Sequence, residues 1–244
     1  LSNQEYFGAD RLYLLEEPHM RNNYKGNNYM GAGYIAAMLP FGKLNIYAGL
    51  RYEYDHMELI SNTRDYEESP FSHNYEYNDI FPSINTTYKF NDKHQLRLSY
   101  GKTVNRPEFR EMSPSVFYDF DLASSVQGNT DLKPCYIQNV DLRYEFYPSK
   151  GEVISIAAFY KYFDSPIEWT YIVTGGTNLL YSYKNAQLAN TYGIELDIRK
   201  NLGFIGLKDF SWSFNGALIK SKVKFEKGAR EENRPMQGQS PYLV

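Results

Sequence analysis

The sequence predicts an all-β fold, an antiparallel transmembrane β-barrel segment, and three observations in its 244 residues support that prediction. Apolar and polar residues alternate with period two along eight segments, as they do in barrel strands that are apolar on one face only. Short connections alternate with long polar stretches, so that tight turns fall at one end of the sheet and large loops at the other. Aromatic residues, above all the 24 tyrosines, collect near strand ends, where an apolar layer would meet water.

The strand pattern recurs along the whole chain, and a ninth strand begins near Tyr242. The eight segments are 28–39, 43–57, 79–90, 93–104, 135–147, 151–163, 188–200 and 208–220. In the clearest segment, Leu44 and Ile46 share a face that suits lipid, whereas Asn45 and Arg51 share the opposite face, which suits a water-filled lumen. The first segment is rich in Gly and Ala and alternates less clearly.

Charged side chains of both signs occupy the face that is predicted to line the lumen. These lumen-facing candidates are Arg51, Glu53, Asp141, Arg143, Glu145, Glu195, Asp197 and Arg199. Mixed charge is common in the lumen of any wide barrel, so the pattern by itself does not specify what the lumen holds.

The predicted short turns are 40–42, 91–94, 148–151 and 201–207, and the predicted long loops are 58–78, 105–134, 164–187 and 221–241. We expect loop 58–78 to be an acidic, solvated loop and loop 221–241 to be a basic one. Loop 164–187 has two apolar stretches around Gly175 and Gly176, which predicts a hairpin above the membrane.

Loop 105–134 contains the candidate ligand-binding residues, because it has more aromatic side chains than a solvated loop needs. The candidates are Arg106, Phe109, Phe117, Tyr118 and Phe120. Either the aromatic side chains pack the loop onto itself, as long ordered loops require, or they face a ligand. The arginines Arg106 and Arg110 either bind anionic ligand groups or pair with the nearby Glu108, Glu111 and Asp119.

Composition excludes several function classes. The net charge is -3, with 26 basic and 29 acidic residues, which gives no electrostatic case for nucleic acid binding. Mean hydropathy is -0.58 and no apolar run approaches the roughly 18 residues of a membrane helix. The single Cys135 excludes an intrachain disulfide and a cysteine-based metal cluster. No catalytic motif is recognisable, so we expect no enzyme activity, no metal site and no cofactor.

Five short motifs follow one another along residues 49–242. They are GLRYEY at 49–54, NRPEFREMSP at 105–114, QGNTDLKP at 127–134, YGIEL at 192–196 and RPMQGQSPY at 234–242. In this order they resemble TonB-dependent outer-membrane receptors, most closely those of Bacteroidetes type. The third motif departs from the usual pattern of that family, with Thr130 in place of Pro and Cys135 in place of Glu.

The resemblance implies a barrel of 22 strands around an N-terminal plug in the bacterial outer membrane, importing a nutrient such as a siderophore, glycan or peptide. Residues 1–244 would form part of that single barrel domain, without the plug and the C-terminal strands. The implied partners are outer-membrane lipid and lipopolysaccharide, the plug of the same protein, TonB, and the nutrient. Short turns would face the periplasm and long loops the cell exterior.

Two other functions fit the alternating pattern. One is a passive outer-membrane porin or adhesin, which would lack energy coupling. The other is a secreted soluble β-sandwich that binds carbohydrate through exposed tyrosines, since strand alternation alone fits a sandwich equally well.

Overall fold

The computed structural model describes residues 23–62, 71–173, 179–207, 209–226 and 231–244. Nine strands form one antiparallel sheet in the order β1-β2-β3-β4-β7-β8-β11-β12-β13. They are β1 Asn23–Phe41, β2 Leu44–Asn62, β3 Phe71–Asn91, β4 His94–Asn105, β7 Cys135–Phe146, β8 Val153–Asp164, β11 Leu188–Asn201, β12 Ser211–Lys224 and β13 Tyr242–Leu243. The remaining elements lie in the connections: α1 Phe109–Met112, β5 Val116–Asp119, β6 Ser124–Gln127, β9 Ile167–Val173, β10 Leu179–Asn185 and a 3-10 helix at Leu202–Ile205.

Tight turns join the strands at one end of the sheet, the short-turn end, as predicted. Gly42, Gly151 and Gly206 have φ angles of 63°, 84° and 88°, a backbone region that glycine enters without steric cost. The side-chain oxygen of Asn91 closes the β3–β4 turn by accepting hydrogen bonds from the backbone amides of Lys93 and His94. The opposite end, the loop end, carries the long connections.

The strand register sorts side chains into two faces. The apolar face, which includes Leu44 and Ile46, leaves large hydrophobic side chains more than one third exposed, among them Leu50, Ile84, Leu98, Leu142, Ile156 and Ile194. Exposed tyrosines and tryptophan border this face at both ends: Tyr88, Tyr144 and Trp212 near the short turns, and Tyr52, Tyr160 and Tyr192 near the loops. Two aromatic belts around an aliphatic band are the surface expected for strands in lipid.

The opposite face, the polar face, carries Asn45, Arg51 and all the predicted lumen residues, because the cross-strand register keeps them on one side. At its loop end this face is covered. Met57 and Leu59 of β2 are buried against Tyr75 of β3 and against Met112 and Leu132 of the β4–β7 connection. The core of the described chain therefore lies under the loops and not within the sheet.

The prediction of a long solvated loop at 58–78 is wrong for most of its length. Strands β2 and β3 extend to Asn62 and from Phe71, and Glu58 pairs with Asn74 inside the ladder. These extensions are stabilised because the β4–β7 connection packs against them, a contact between segments distant in sequence. The acidic Asp65, Glu67 and Glu68 lie outside the described residues.

Other boundaries shift by a few residues. Strand β12 begins at Ser211 and continues to Lys224, so the connection that follows it starts later than residue 221.

The described residues contain no helix with the length and hydropathy that a membrane span requires.

Candidate functional site

The connection between β4 and β7, residues 105–134, is folded and not extended. A single helical turn, α1, is followed by the hairpin of β5 and β6. The Glu111 carboxylate accepts a hydrogen bond from the amide of Glu108 at 2.9 Å, which satisfies an amide at the start of the helix. Burial raises the pKa of the Glu111 carboxyl above its usual value of 4.5, although this hydrogen bond opposes the increase.

Arg106 fixes the start of this connection to the polar face. Its guanidinium lies 2.9 Å from Glu53, 3.1 Å from Asp55 and 2.8 Å from Asp79, three carboxylates of the neighbouring strands. Tyr136 donates a further hydrogen bond to Asp79 at 2.6 Å. Predicted pairing of Arg106 with nearby loop carboxylates is therefore wrong, because strand carboxylates that are distant in sequence take their place. We call these four charged residues the Arg106 cluster.

Burial by itself would lower the pKa of Arg106, but hydrogen bonds from its guanidinium to Glu53 and Asp79 outweigh that effect and raise the pKa above its ordinary value. The arginine is therefore charged at any physiological pH. A guanidinium held by three carboxylates serves first to anchor the loop.

Phe109 also anchors the connection. Its ring packs on the cluster of buried side chains under the loops and lies so close to Gly26 that a Cβ there would be 2.6 Å from the ring. The ring of Phe109 fits at this position because Gly26 has no side chain, and any larger residue at 26 would collide with it. Phe109, predicted as a ligand contact, is a packing residue in the described structure.

Gly128 and Asn129 close the base of the connection. A Cβ on Gly128 would lie 2.2 Å from the carbonyl oxygen of Ser113, so only glycine fits at this position. The amide of Asn129 then donates to the carbonyl of Glu111 at 2.6 Å. The QGNTDLKP motif at 127–134 thus has a structural role, which is to hold the loop against its own helix.

Residues 164–187 contain the predicted hairpin, formed by β9 and β10. It does not stand alone, because β10 pairs in parallel with β6 and produces a four-stranded sheet in the order β5-β6-β10-β9. Asn185 exchanges hydrogen bonds with the backbone of Lys133 at 2.8 and 2.9 Å, and Asn129 donates to the carbonyl of Tyr183 at 2.9 Å. Two connections that the sequence presents as independent loops form one structure.

A third connection, after β12, packs against the same hairpin. Arg234 lies 2.8 Å from the buried carboxylate of Glu168, and Thr170 donates to Glu231. Burial raises the pKa of Glu168, and the Arg234 charge only partly offsets that increase. The basic character predicted for loop 221–241 also came from Lys222, Lys224, Lys227 and Arg230. Of these, Lys222 and Lys224 belong to β12, whereas Lys227 and Arg230 lie outside the described residues.

The tip of the β5–β6 hairpin carries the exposed aromatic residues of the site. Phe120 is 86 % exposed and Tyr118 is 51 % exposed, and their rings meet edge to face at 5.1 Å. Phe117 points the other way and lies under the Arg110 guanidinium, 3.8 Å from its ring centre. The loop aromatics therefore divide into packed and exposed sets. We call Tyr118 and Phe120 the tip pair.

Below the loops, the polar face carries open charges. Arg143 lies 3.6 Å from Glu195, and both side chains are more than 40 % exposed. Arg97, which is not among the predicted lumen residues, lies 3.2 Å from the buried carboxylate of Glu145. A pocket of about 500 Å³ is lined by Arg97, Arg143 and Glu195, among other residues. In the described ranges, no group of three or more His, Cys, Asp or Glu side chains is arranged to hold a metal ion.

The contacts of several site residues could not be predicted from the sequence. Asp79 was assigned only to a strand, and Asn185 only to a hairpin, because their partners are more than 25 residues away. A usable signal existed at Gly128, since a glycine next to asparagine in a long loop suggests a constrained turn.

The comparisons with known proteins agree with this architecture. The model of the Outer membrane protein beta-barrel family matches residues 2–239. The siderophore receptor PirA from Pseudomonas aeruginosa is similar in structure, with a TM-score of 0.57 at 16% identity over 84% of this chain and 46% of the receptor. No curated protein matches the sequence significantly.

Two further receptors share the fold. The alcaligin receptor FauA from Bordetella pertussis gives a TM-score of 0.54 at 15% identity, and the match covers 82% of this chain and 31% of the receptor. The ferric-catecholate import receptor Fiu from K12 E. coli gives 0.56 at 14% identity, covering 89% of this chain and 30% of the receptor. This chain therefore spans less than half the length of these receptors. It belongs to the outer membrane protein β-barrel family, and it has the fold of part of a receptor barrel in the bacterial outer membrane.

Proposed function

We propose that this chain is the loop-bearing part of a barrel for TonB-dependent uptake of a nutrient, such as a siderophore, a glycan or a peptide. The tip pair, Tyr118 and Phe120, makes first contact with that ligand. In the same proposal, residues 1–244 belong to one barrel domain, the loop end faces the cell exterior and the short-turn end faces the periplasm.

One observation carries the proposal: three connections interlock over the polar face at one end of the sheet. The β5-β6-β10-β9 sheet, the Arg106 cluster and the Arg234–Glu168 pair fix them together. A rigid cover that still exposes two aromatic rings is suited to holding a ligand, because preorganised aromatic contacts cost little entropy on binding. The solved proteins with this fold include siderophore receptors, which supports the same reading.

The polar-face charges have a place in this proposal. Arg51, Asp141, Arg143, Glu195, Asp197 and Arg199 line the lumen below the loops, whereas Glu53 and Glu145, predicted on the same face, have side chains that are at most 12 % exposed. There they contact the plug of the intact receptor or the ligand that passes it, whereas lipid and lipopolysaccharide contact the apolar face. Energy coupling through TonB belongs to the plug, so no residue of this chain is assigned to that step.

The test uses the intact receptor in its own outer membrane and a panel of siderophores, glycans and peptides. Replacing both members of the tip pair by Ala should weaken binding of the captured ligand about tenfold, since each aromatic contact contributes roughly 0.5–1.5 kcal/mol. The matched control is Phe204→Ala, which removes a ring that is 72 % exposed at the short-turn end. It should leave binding unchanged.

Three results would contradict the proposal. Equal ligand binding by the tip variant and the wild type would show that Tyr118 and Phe120 do not contact the ligand. Uptake that persists after the proton gradient is collapsed would instead support a passive porin. Cell attachment without uptake of any ligand in the panel would support an adhesin.

A further inference from the structure

The hydrogen-bonded ladder between β3 and β4 ends before either strand does. Its last pair is Ser83 with Gly101, although β3 continues in sequence to Phe71 and β4 to Asn105. The next residue of β3 is Pro82, which has no N–H to donate to a ladder. Both strands remain paired with their other neighbours, so a gap opens between β3 and β4 toward the loop end.

This gap contains a pocket of about 490 Å³, which we call the β3–β4 pocket. Its lining includes Met30, Arg51, Glu53, Pro82, Lys102 and Arg106. The pocket therefore lies beside the Arg106 cluster, at the start of the connection that carries the tip pair. Its size falls within the roughly 300–1,000 Å³ range of small-molecule sites.

The accessible charges of the pocket are positive. The three carboxylates of the Arg106 cluster are each at most 12 % exposed, whereas the Arg51 side chain is 43 % exposed. Arg51 uses its Nε to hydrogen-bond Glu53 at 2.6 Å. An occupant of the pocket thus meets two accessible cations and one less exposed carboxylate, that of Glu53, which already accepts hydrogen bonds from Arg51 and Arg106.

Lys102 is the second accessible cation. Its ammonium lies 4.6 Å from the ring centre of Tyr136 and 6.0 Å from that of Phe81. Within the described ranges, no carboxylate lies within ion-pair distance of it. Aromatic rings hold an ammonium in place but do not neutralise it, so Lys102 retains its capacity to bind an anion.

We propose that the β3–β4 pocket binds an anionic group, a carboxylate or a phosphate carried on an apolar body, of the ligand that the loops capture. Lys102 and Arg51 bind the anion through charge-assisted hydrogen bonds, and the apolar body lies on Met30, which is 60 % exposed, and on Pro82. The assignment of this anion to a transported ligand rests on the proposed function. Arg51 and Met30 lie on the polar face, which a soluble ligand reaches, whereas Lys102 and Pro82 follow the alternation of the apolar face, which a lipid phosphate reaches; the experiment therefore has to distinguish these two sources of the anion.

The experiment measures binding to the purified intact receptor by calorimetry, with benzoate as the probe and benzamide as its neutral counterpart. Benzoate should bind clearly more tightly than benzamide. Lys102→Gln should weaken benzoate binding roughly tenfold, the loss expected for one charge-assisted contact, whereas Lys102→Arg should retain it. The matched control is Lys161→Gln, on the polar face of β8 outside this pocket, which should change nothing.

Equal affinity for benzoate and benzamide would overturn the proposal, and so would equal losses in the Lys102 and Lys161 variants. A fall in copurified lipopolysaccharide in Lys102→Gln, with benzoate binding intact, would assign the pocket to a lipid phosphate instead. Benzoate binding that depends on Lys102, in a receptor that shows no energised uptake, would support the pocket and contradict the proposed function. Energised uptake by a receptor that does not bind benzoate would support the proposed function and contradict the anion site in the β3–β4 pocket.

Discussion

The two halves of the polar face carry similar residues in different environments. Near the loop end, Arg106 and its three carboxylates have side chains at most 14 % exposed. Nearer the short turns, Arg143 and Glu195 are 41 % and 45 % exposed at 3.6 Å. The sheet and the side-chain alternation are the same in both halves. The difference between these two sites comes from the connections, which cover the Arg106 cluster and leave the Arg143–Glu195 pair exposed.

This contrast shows where the loops obtain their stability. A buried ion cluster strongly penalises the loss of one partner, whereas an exposed pair contributes little. The Arg106 cluster therefore holds the loops in a defined position, whereas the Arg143–Glu195 pair is available to whatever occupies the lumen.

The largest expected effect is that of Arg106→Gln. It leaves the buried carboxylates of Asp55 and Asp79 without their cation and Glu53 with Arg51 alone, which should destabilise residues 105–134 by about 3–5 kcal/mol. Amide hydrogen exchange of that connection in the folded receptor measures the loss. The control Arg143→Gln in the open half should cost less than about 1 kcal/mol. Similar protection in both variants would break the contrast between the halves.

A smaller effect is expected from Gly128→Ala. The added Cβ would lie 2.2 Å from a backbone oxygen, and displacing that backbone should cost about 1–3 kcal/mol. Gly31→Ala is the control, because nothing lies within 4 Å of its Cβ position. Limited proteolysis should cleave the 105–134 connection faster in the first variant only. Unchanged cleavage would show that the base of the loop tolerates a shift.

The smallest effect is a pH dependence at Glu168. Burial raises its pKa in the folded state above the ordinary 4.5, so folding favours the protonated form. The stability from this group is complete below the unfolded pKa and is lost as pH rises through the folded pKa.

Urea titrations of the intact receptor at about pH 4 and about pH 8, followed by hydrogen exchange of the β9 amides with the intrinsic pH dependence of exchange subtracted, measure this loss at β9. Glu168→Gln should remove the pH dependence that this group contributes. The exposed Glu195→Gln is the charge-matched control and should preserve it. A loop that becomes more stable as pH rises in the wild type, but not in Glu168→Gln, would reverse the predicted sign.

Sequence patterns predicted most of the sheet correctly. The period-two alternation located eight long strands and the start of a ninth, and the turn residues located the short-turn end. These features are readable because each depends on residues that are neighbours in sequence. The loop-side ends of β2 and β3 were wrong, since Met57 and Leu59 of the extended β2 pack in one cluster with Met112 and Leu132, more than 50 positions away.

The candidate site was predictable only in part. The sequence identified loop 105–134 and its five candidate residues, but it did not distinguish the packed Phe109 and Phe117 from the exposed tip pair. That distinction depends on tertiary contacts: Phe109 packs on the buried cluster under the loops, and Phe117 lies under the Arg110 guanidinium. Lys102 shows the same limit, because its importance arises from a ladder that ends at Pro82 in another strand.

By itself, the sequence determined that this chain forms amphipathic strands with short turns at one end, because hydrophobic alternation and turn chemistry act locally. The tertiary structure decided that three separate connections become one cover. Parallel pairing of β6 with β10, the Arg106 cluster and the Arg234–Glu168 pair all join segments distant in the chain. Burial of charges and pairing of strand edges are properties of the assembled fold, so no local pattern encodes them.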